Sequence, residues 1–186
     1  MKVHAIIILL FLSAVSGCIS GISGNAVREE NVYENGVSIG AYFCPRENCT
    51  LIIKNTINNA RNSVHCAFYE LNSNEIIRTI AKKSHEADVK IVIDRDNYES
   101  QIKGNIKLAD SKQYMHNKFC IIDASLVLTG SANPTNNDLA VNNNNIVIIK
   151  SKYIAQNYED EFNELWNGIY TAGDKVKYDK VISENL

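Results

Sequence analysis

Apolar residues recur along the chain with two periods, which predict strands that alternate with helices. Short apolar runs are typical of buried strands, and longer segments with apolar residues every three or four positions are typical of amphipathic helices. Strands are predicted over residues 37–43, 64–69, 89–93, 106–108, 118–123, 126–129 and 146–149, and helices over residues 51–61, 74–86 and 153–166. Because strands that alternate with helices of this length form βαβ units, we predict the α/β class: one domain with a mixed, mostly parallel β-sheet and helices on both faces.

The first 36 residues have a different pattern. Residues 1–17 hold an apolar run that is too short to cross a bilayer comfortably, which predicts a signal peptide for export. The run ends in Val15-Ser16-Gly17-Cys18, which resembles a lipobox, so we expect Cys18 to carry a lipid and residues 18–36 to form a flexible membrane tether. Cleavage without lipidation and an uncleaved anchor are the alternatives. All three place the remaining domain, residues 37–186, outside the cytoplasm, on the cell surface or in the periplasm.

Length and charge narrow the classes of function. A chain of 186 residues with 45% hydrophobic residues can bury one core but hardly two. The formal net charge of -2 argues against a protein that coats nucleic acid, because broad phosphate binding needs a basic surface. Any site for a polyanion is therefore expected to be local.

The cysteines leave two readings open. Cys44 and Cys49 flank a short turn, and because an exported chain permits oxidation, a disulfide between them is one expectation. A zinc site built from the same two cysteines and a histidine is the alternative, although a second close pair of ligands is missing. Cys66 and Cys120 lie in apolar strands, where cysteine is most often a small buried hydrophobe.

The residues that can carry chemistry cluster around two predicted strands. His116 and Lys118 lie two positions apart where the first strand begins, so their side chains project from one face and can share one phosphate. Imidazole can attack phosphorus or donate a proton near neutral pH, and lysine stabilises charge on phosphate oxygens.

The loop after the second strand, Gly130-Ser131-Ala132-Asn133, adds to this group. Gly130 permits close backbone approach, and Ser131 and Asn133 offer hydrogen bonds. Phosphoryl transfer depends mainly on such positioning and charge stabilisation.

The order His116-x-Lys118, four residues, Asp123, six residues, Gly130-Ser131-x-Asn133 resembles the HKD signature of the phospholipase D superfamily. The likeness to its small, single-motif endonuclease branch extends from Val37 to about Gly168. It implies a phosphodiesterase with a mixed sheet between helices and with no metal or other cofactor.

In that superfamily two copies of the motif face each other. One histidine becomes a phosphohistidine, and the other serves as acid and then as base for water. This chain has one copy, since neither His65 nor His85 is followed two positions later by lysine. The resemblance therefore implies a homodimer whose active site lies at the two-fold axis.

The resemblance also implies residue roles. His116, Lys118 and Asn133 match the catalytic set, with Gly130 and Ser131 in support. Asp123 is expected to be structural, because five positions from Lys118 along a strand place it on the opposite face.

The sequence departs from the family in one place. The usual Asn-x-Glu-Asn segment, whose glutamate orients the histidine, is Asn142-Asn143-Asn144-Asn145 here. An amide at Asn144 would stabilise an imidazolium less than a carboxylate would, so lower activity is expected unless another acid substitutes.

Three functions stay open. The leading one is a metal-independent nuclease that cleaves DNA or RNA outside the cytoplasm. The second is hydrolysis of a phospholipid, to which a lipid tether would bring the enzyme close, and the third is a phosphate-binding module that has lost turnover. A groove for nucleic acid would be lined by lysines such as Lys82, Lys83, Lys103, Lys107 and Lys112.

Four residues at strand ends are weaker candidates. Tyr69 and Glu70 could line the cleft, and Asp94 and Asp96 end a strand at what could be the ligand-binding edge of the sheet. Such residues more often only terminate strands.

Overall fold

The computed structural model of the chain describes residues 31–110, 112–170 and 176–183. The described strands are β1 (Asn31–Glu34), β2 (Ser38–Cys44), β3 (Ser63–Phe68), β4 (Asp88–Asp94), β5 (Asn105–Ala109), β6 (Lys118–Ile122), β7 (Leu126–Gly130), β8 (Asn144–Lys150) and β9 (Lys180–Ser183). The helices are α1 (Cys49–Asn58), α2 (Asn74–Lys83), α3 (Asn136–Ala140) and α4 (Lys152–Trp166), and a short 3-10 turn follows β4 at Arg95–Asn97. Every strand and helix predicted from the apolar pattern is therefore present, with its ends shifted by a few residues.

Seven strands form one mixed sheet in the order β2-β8-β7-β6-β3-β4-β5. The pairings β3–β4 and β4–β5 are parallel, and the other four are antiparallel. The α/β class with a mixed sheet is confirmed, but the parallel part is smaller than predicted. The reason is the turn at residues 123–125, which is too short for a crossover and makes β6 and β7 an antiparallel hairpin.

Helices cover both faces of this sheet, as predicted. Helices α1 and α2 pack on one face through buried residues such as Ile53, Ile57, Ile76 and Ile80. Helix α4 packs on the other face through Phe162 and Leu165, against Phe119, Ile121 and Val127 of the sheet. Burial of two apolar layers of this kind is the main source of stability in such folds.

Strands β1 and β9 form a separate parallel pair that the apolar pattern did not indicate. Strand β1 lies inside the segment predicted to be a tether. The Glu34 carboxylate accepts hydrogen bonds from the Ser151 hydroxyl and, at 2.8 Å, from the Lys152 backbone N–H, at the start of α4. Residues 31–34 thus belong to the fold, and residues 1–30 of the predicted signal and tether lie outside the described residues. Within the described residues, no helix is both long enough and apolar enough to cross a bilayer.

Two disulfides cross-link the described residues. Cys44 and Cys49 are joined, as one of the two expectations had it, so their thiolates are not free for the alternative zinc site. Cys66 and Cys120 are also joined, which corrects their interpretation as buried hydrophobes. The two residues lie directly opposite each other on β3 and β6, with Cα atoms 4.1 Å apart. This register depends on how β3 and β6 pair in the fold, so the disulfide could not be predicted from the sequence pattern.

Candidate active site

The predicted site residues meet at one end of the sheet. Strand β6 begins there with Lys118, which is paired with Phe68 at the end of β3, and β7 ends there with Gly130, which is paired with Ile146 near the start of β8. His116 precedes β6, and Ser131 and Asn133 follow β7. The antiparallel order of β8, β7, β6 and β3 therefore brings two sequence-distant loops together.

His116 and Lys118 contact each other directly. The Lys118 ammonium lies 3.2 Å from His116 Nδ1 and donates a hydrogen bond of 2.8 Å to the His116 carbonyl oxygen. The imidazole is exposed, whereas Lys118 is half-buried. Burial lowers the pKa of Lys118, and the negative charge of Asp138 opposes that shift without cancelling it. An anion bound at this position would restore part of the solvation that Lys118 has lost.

The Tyr69 ring packs against both His116 and Lys118. Its ring centroid lies 4.4 Å from that of His116 and 5.2 Å from the Lys118 nitrogen. The Tyr69 backbone N–H donates to the Asn117 carbonyl at 2.9 Å, which ties the end of β3 to the segment between the two catalytic candidates. The structure thus brings Tyr69, which sequence reasoning treated as a weaker candidate, into the centre of the site.

Gly130 brings β8 close to the serine loop. Its φ is +150°, and a Cβ atom added there would lie 2.3 Å from the Asn145 carbonyl oxygen. Only glycine fits such an approach. The Ser131 hydroxyl then donates to Asn144 Oδ1 at 2.9 Å and accepts from the Asn145 backbone N–H at 3.0 Å.

Asn133 is held by an acid that sequence reasoning missed, Asp138 in the first turn of α3. Its Oδ2 atom accepts from the backbone N–H of Asn133 at 3.0 Å and from its side-chain amide at 2.9 Å. Asn133 Oδ1 is buried and has no hydrogen-bond partner within the described residues. Because Asp138 takes one amide hydrogen, the orientation of the Asn133 amide is determined and its second hydrogen stays available.

A local signal marks Asp138. The order Thr135-x-x-Asp138 is a capping motif, and the Thr135 hydroxyl accepts from the Asp138 backbone N–H at 3.1 Å. Burial alone would raise the pKa of Asp138, but hydrogen bonds from Asn142, Asn133 and Asn144 outweigh it and lower the pKa. Asp138 is therefore ionised at neutral pH.

Asn144, which lies where the family has glutamate, bonds to the loop after β7 and to α3. Its amide oxygen accepts from Ser131, and its amide nitrogen donates to the Asp138 carbonyl at 3.3 Å. Both ends of the amide are thus engaged in ordering the segment between β7 and β8. The carboxylate that acts on the site is Asp138, six residues earlier in the chain.

Asp123 lies at the far end of β6 from Lys118. Its carboxylate accepts from the backbone N–H groups of Arg61, Asn62 and Ser63, at distances of 2.6 to 3.1 Å. Burial would raise its pKa, but these backbone hydrogen bonds outweigh it and lower the pKa. Asp123 follows the last residue of β6 rather than lying on the strand, and these bonds tie the segment after α1 to the β6–β7 turn. Its structural role stays a prediction.

Asp94 supports the segment that carries His116. It is buried, and its carboxylate accepts from the Met115 backbone N–H at 3.0 Å and from the Asp96 backbone N–H at 3.2 Å. Asp96 itself is exposed. Asp94 therefore does more than terminate β4, because it fixes the residue next to His116.

Two of the five lysines expected in a groove are engaged elsewhere. Lys83 is buried and donates to the carbonyl oxygens of Asn58 and Ala60. Lys107 donates to the Trp166 carbonyl at 2.6 Å and lies over the Trp166 ring. Lys82, Lys103 and Lys112 are exposed.

Among the described residues, no group of three or more His, Cys, Asp and Glu side chains is arranged to hold a metal ion. The expectation of metal-independent chemistry stays a prediction.

Comparison with known proteins identifies the family of the chain. A family model described as the PLD-like domain of cardiolipin synthase matches residues 53–166. A mitochondrial cardiolipin hydrolase of Chlamydomonas reinhardtii is 26% identical over 106 residues, which cover 51% of this chain and 48% of that protein. A phospholipase D of Rickettsia conorii is 28% identical over 160 residues, which cover 80% of each chain. The chain spans less than half the length of the cardiolipin hydrolases that it matches.

A solved structure shares the fold. Nuc, a phospholipase D family member from Salmonella typhimurium, superposes with a TM-score of 0.66 at 24% identity, over 71% of this chain and 95% of that one. The family model covers more than half of the chain and includes both loops of the site. The resemblance seen in the HKD signature is thereby confirmed, and the chain belongs to the phospholipase D superfamily.

Proposed function

We propose that the chain is a phosphodiesterase that cleaves nucleic acid through a phosphohistidine on His116. The observation that carries the proposal is the exposed His116 ring in contact with the half-buried Lys118 ammonium, beside an Asn133 amide that Asp138 orients. This combination offers a nucleophile, a cation for the phosphate oxygens and a hydrogen-bond donor.

Substrate binding prepares the nucleophile. A phosphate oxygen is a stronger acceptor for the Lys118 ammonium than an imidazole nitrogen, so the bound phosphate draws Lys118 away from His116 Nδ1. An imidazole nitrogen of His116 then attacks phosphorus, the N–P bond forms and the P–O bond to the leaving group breaks. Lys118 and Asn133 stabilise the charge on the non-bridging oxygens.

A second histidine is needed to complete the cycle, and we propose that His116 of a second copy supplies it. It donates a proton to the leaving oxygen and then accepts one from water, which attacks the phosphohistidine and regenerates the imidazole. Each step balances without a metal or cofactor. The active form is accordingly a homodimer with the site at its two-fold axis.

Nucleic acid is favoured over phospholipid by the surroundings of the site. Lys112, Gln113 and Tyr114, which lie shortly before His116 in the chain, are exposed and polar or aromatic. The net charge of -2 is compatible with a local rather than an extended polyanion site. Phospholipid is the second candidate, because two of the relatives are named cardiolipin hydrolase and phospholipase D. A lipid on Cys18 and an extracytoplasmic location remain part of the proposal and would suit either substrate.

The test offers several phosphodiesters to the full chain in the presence of a chelator: plasmid, single-stranded DNA, RNA and vesicles containing cardiolipin. His116→Ala removes the proposed nucleophile, and His85→Ala is the matched control, because His85 is exposed and lies outside the site. We expect cleavage of nucleic acid that His116→Ala abolishes and His85→Ala retains.

Other outcomes would contradict the proposal. Hydrolysis of vesicles alone would establish the phospholipid substrate, and phosphate binding without turnover would establish a binding module. Sedimentation of the active protein as a monomer would refute the shared site.

A further inference from the structure

An exposed tyrosine stands beside the catalytic candidates. Tyr114 is 69% exposed, so most of its ring is open to solvent. Its ring meets the edge of Tyr69 at a centroid distance of 5.8 Å, and Tyr69 in turn lies 4.4 Å from His116. Since both distances end on the Tyr69 ring, the Tyr114 and His116 rings are at most 10.2 Å apart. A group bound on Tyr114 would therefore be a near neighbour of the phosphate at His116.

Tyr114 is part of the lining of a cavity. Its volume is about 200 Å³, and it is lined by Asp94, Arg95, Asp96, Asp110, Lys112 and Tyr114, among others. A volume of about seven water molecules suits one heteroaromatic ring system better than a pair of acyl chains. The lining is polar, which also argues against an acyl chain.

The charges around the cavity favour a neutral ligand over a second phosphate. The Asp94 carboxylate accepts hydrogen bonds from Met115, Asp96 and Asn97. Arg95 is paired with Asp110 at 2.8 Å. Asp96 and Lys112 are exposed and carry opposite charges, so the lining has three carboxylates against two cations and no excess of positive charge for an anion. Its carboxylates and ammonium can bond instead to the donors and acceptors on the edge of a base.

We propose that Tyr114 and this cavity form a subsite for one unpaired nucleobase, adjacent to the phosphate that His116 attacks. The base stacks on the Tyr114 ring and turns its polar edge into the cavity. A base within a duplex has both faces covered by its neighbours, so the subsite selects single-stranded DNA or RNA. The inference rests on the proposed function and specifies its substrate class.

The Tyr69 ring gives the subsite a fixed position. Tyr69 contacts His116, Lys118 and Tyr114 at once, so the phosphate site and the stacking surface share one rigid support. Preorganised supports of this kind reduce the ordering cost of binding. A flexible single strand would therefore be held with its scissile phosphate in register.

The experiment compares steady-state cleavage of a labelled single-stranded oligonucleotide by the full chain and three variants. Tyr114→Ala removes the stacking surface, Tyr114→Phe retains it, and Tyr33→Ala is the matched control, since Tyr33 is 60% exposed and lies on β1 outside the site. We expect Tyr114→Ala to raise KM roughly tenfold or more with little change in kcat, because stacking of one base contributes on that scale. Tyr114→Phe and Tyr33→Ala should stay within about twofold of the wild type.

A series of oligonucleotides with one abasic position each provides the substrate side of the test. One position relative to the scissile bond should weaken cleavage by the wild type, and the same oligonucleotide should make no further difference to Tyr114→Ala. The wild type should also prefer the single strand to the matching duplex, and Tyr114→Ala should lose most of that preference.

The failure of this inference can be told from the failure of the proposed function. If the wild type cleaves oligonucleotides but Tyr114→Ala behaves like Tyr33→Ala, or no abasic position matters, the subsite is refuted and the nuclease stands. If the wild type cleaves no oligonucleotide, or hydrolyses vesicles alone, both are refuted.

Discussion

Asp138 is the residue on which the polar side chains of the site converge. Its carboxylate accepts from Asn133 and Asn142, its carbonyl accepts from Asn144, and its charge acts on Lys118. A negative charge beside a half-buried lysine keeps that lysine protonated, which phosphate binding requires. Among the described contacts Asp138 acts on Asn133 and Lys118, so the lower activity expected from Asn144 stays a prediction.

The first prediction concerns this charge. Asp138→Asn should lower kcat/KM by about tenfold or more, because the charge-assisted bonds to Asn133 are weakened. It should also lower the pKa of Lys118 further, so the alkaline limb of the pH–rate profile moves to lower pH. Asp138→Glu should recover part of both effects, whereas Asp179→Asn, an exposed aspartate outside the site, should change neither. An unmoved alkaline limb in Asp138→Asn would mean that Asp138 does not act on Lys118.

Asp123 should affect stability instead of activity. Asp123→Asn should lower the free energy of unfolding by about 1–3 kcal/mol, because three backbone N–H groups lose their ionised acceptor. Since the pKa of Asp123 is lowered in the folded state, its contribution is present above the unfolded pKa and is lost as the pH falls through the folded pKa. Urea unfolding of the wild type and the variant between pH 2 and 7 checks this, and parallel curves at all pH values would rule it out.

At the scale of elements, strands and helices were predictable where burial imposes a period. Strand β4 and helix α2 are examples, since one is a continuous apolar run and the other carries an apolar stripe. Strand pairing was not predictable in the same way. The direction of β6 against β7 depends on a short turn, and β1 and β9 have too few apolar residues to stand out.

The site residues divide in the same way, into those that a local sequence motif predicts and those that depend on the fold. His116, Lys118 and Asn133 could be found because the motif is linear in the sequence. Asp138 and Tyr114 could not, because their roles depend on how α3 and the segment before β6 are placed in the fold. The Cys66–Cys120 disulfide likewise depends on the register between β3 and β6.

That disulfide carries a prediction at the scale of elements. It closes a loop with a sequence separation of 54 residues, against 5 for Cys44–Cys49. On the chain-entropy account, the longer loop contributes about 4 kcal/mol to the free energy of unfolding and the shorter one about 2 kcal/mol. Paired Cys→Ala variants measured by urea unfolding should therefore rank in that order, and a larger loss from the Cys44/Cys49 pair would contradict it.

At the scale of the whole molecule, His65 on β3 links β3 and β4 to α4. The ring lies 2.8 Å from Glu159 and 3.4 Å from Asp88, and it stacks on Phe162. Burial would lower the pKa of His65, but the hydrogen bond and charge of Glu159, aided by Asp88 and opposed by Lys90, outweigh it and raise the pKa. When the ring is protonated, its bonds to Glu159 and Asp88 hold α4 to the sheet.

The corresponding prediction is a pH dependence of global stability. A raised pKa means that the His65 contribution is fully present below the unfolded pKa, about 6.5, and is lost as the pH rises through the folded pKa. Measured by urea unfolding, the free energy of unfolding should fall as the pH rises from about 6.5 through the folded pKa of His65. Glu159→Gln should make that fall smaller. A variant that keeps the full wild-type slope would show that another group is responsible.

Covalent catalysis by His116 is the central proposal, and the stereochemical course at phosphorus tests it most directly. A phosphohistidine pathway contains two in-line displacements, so cleavage of a phosphorothioate diester of defined configuration in isotopically labelled water should proceed with retention. Direct attack by water is one displacement and gives inversion. Retention is the result that the account predicts, and inversion would contradict it.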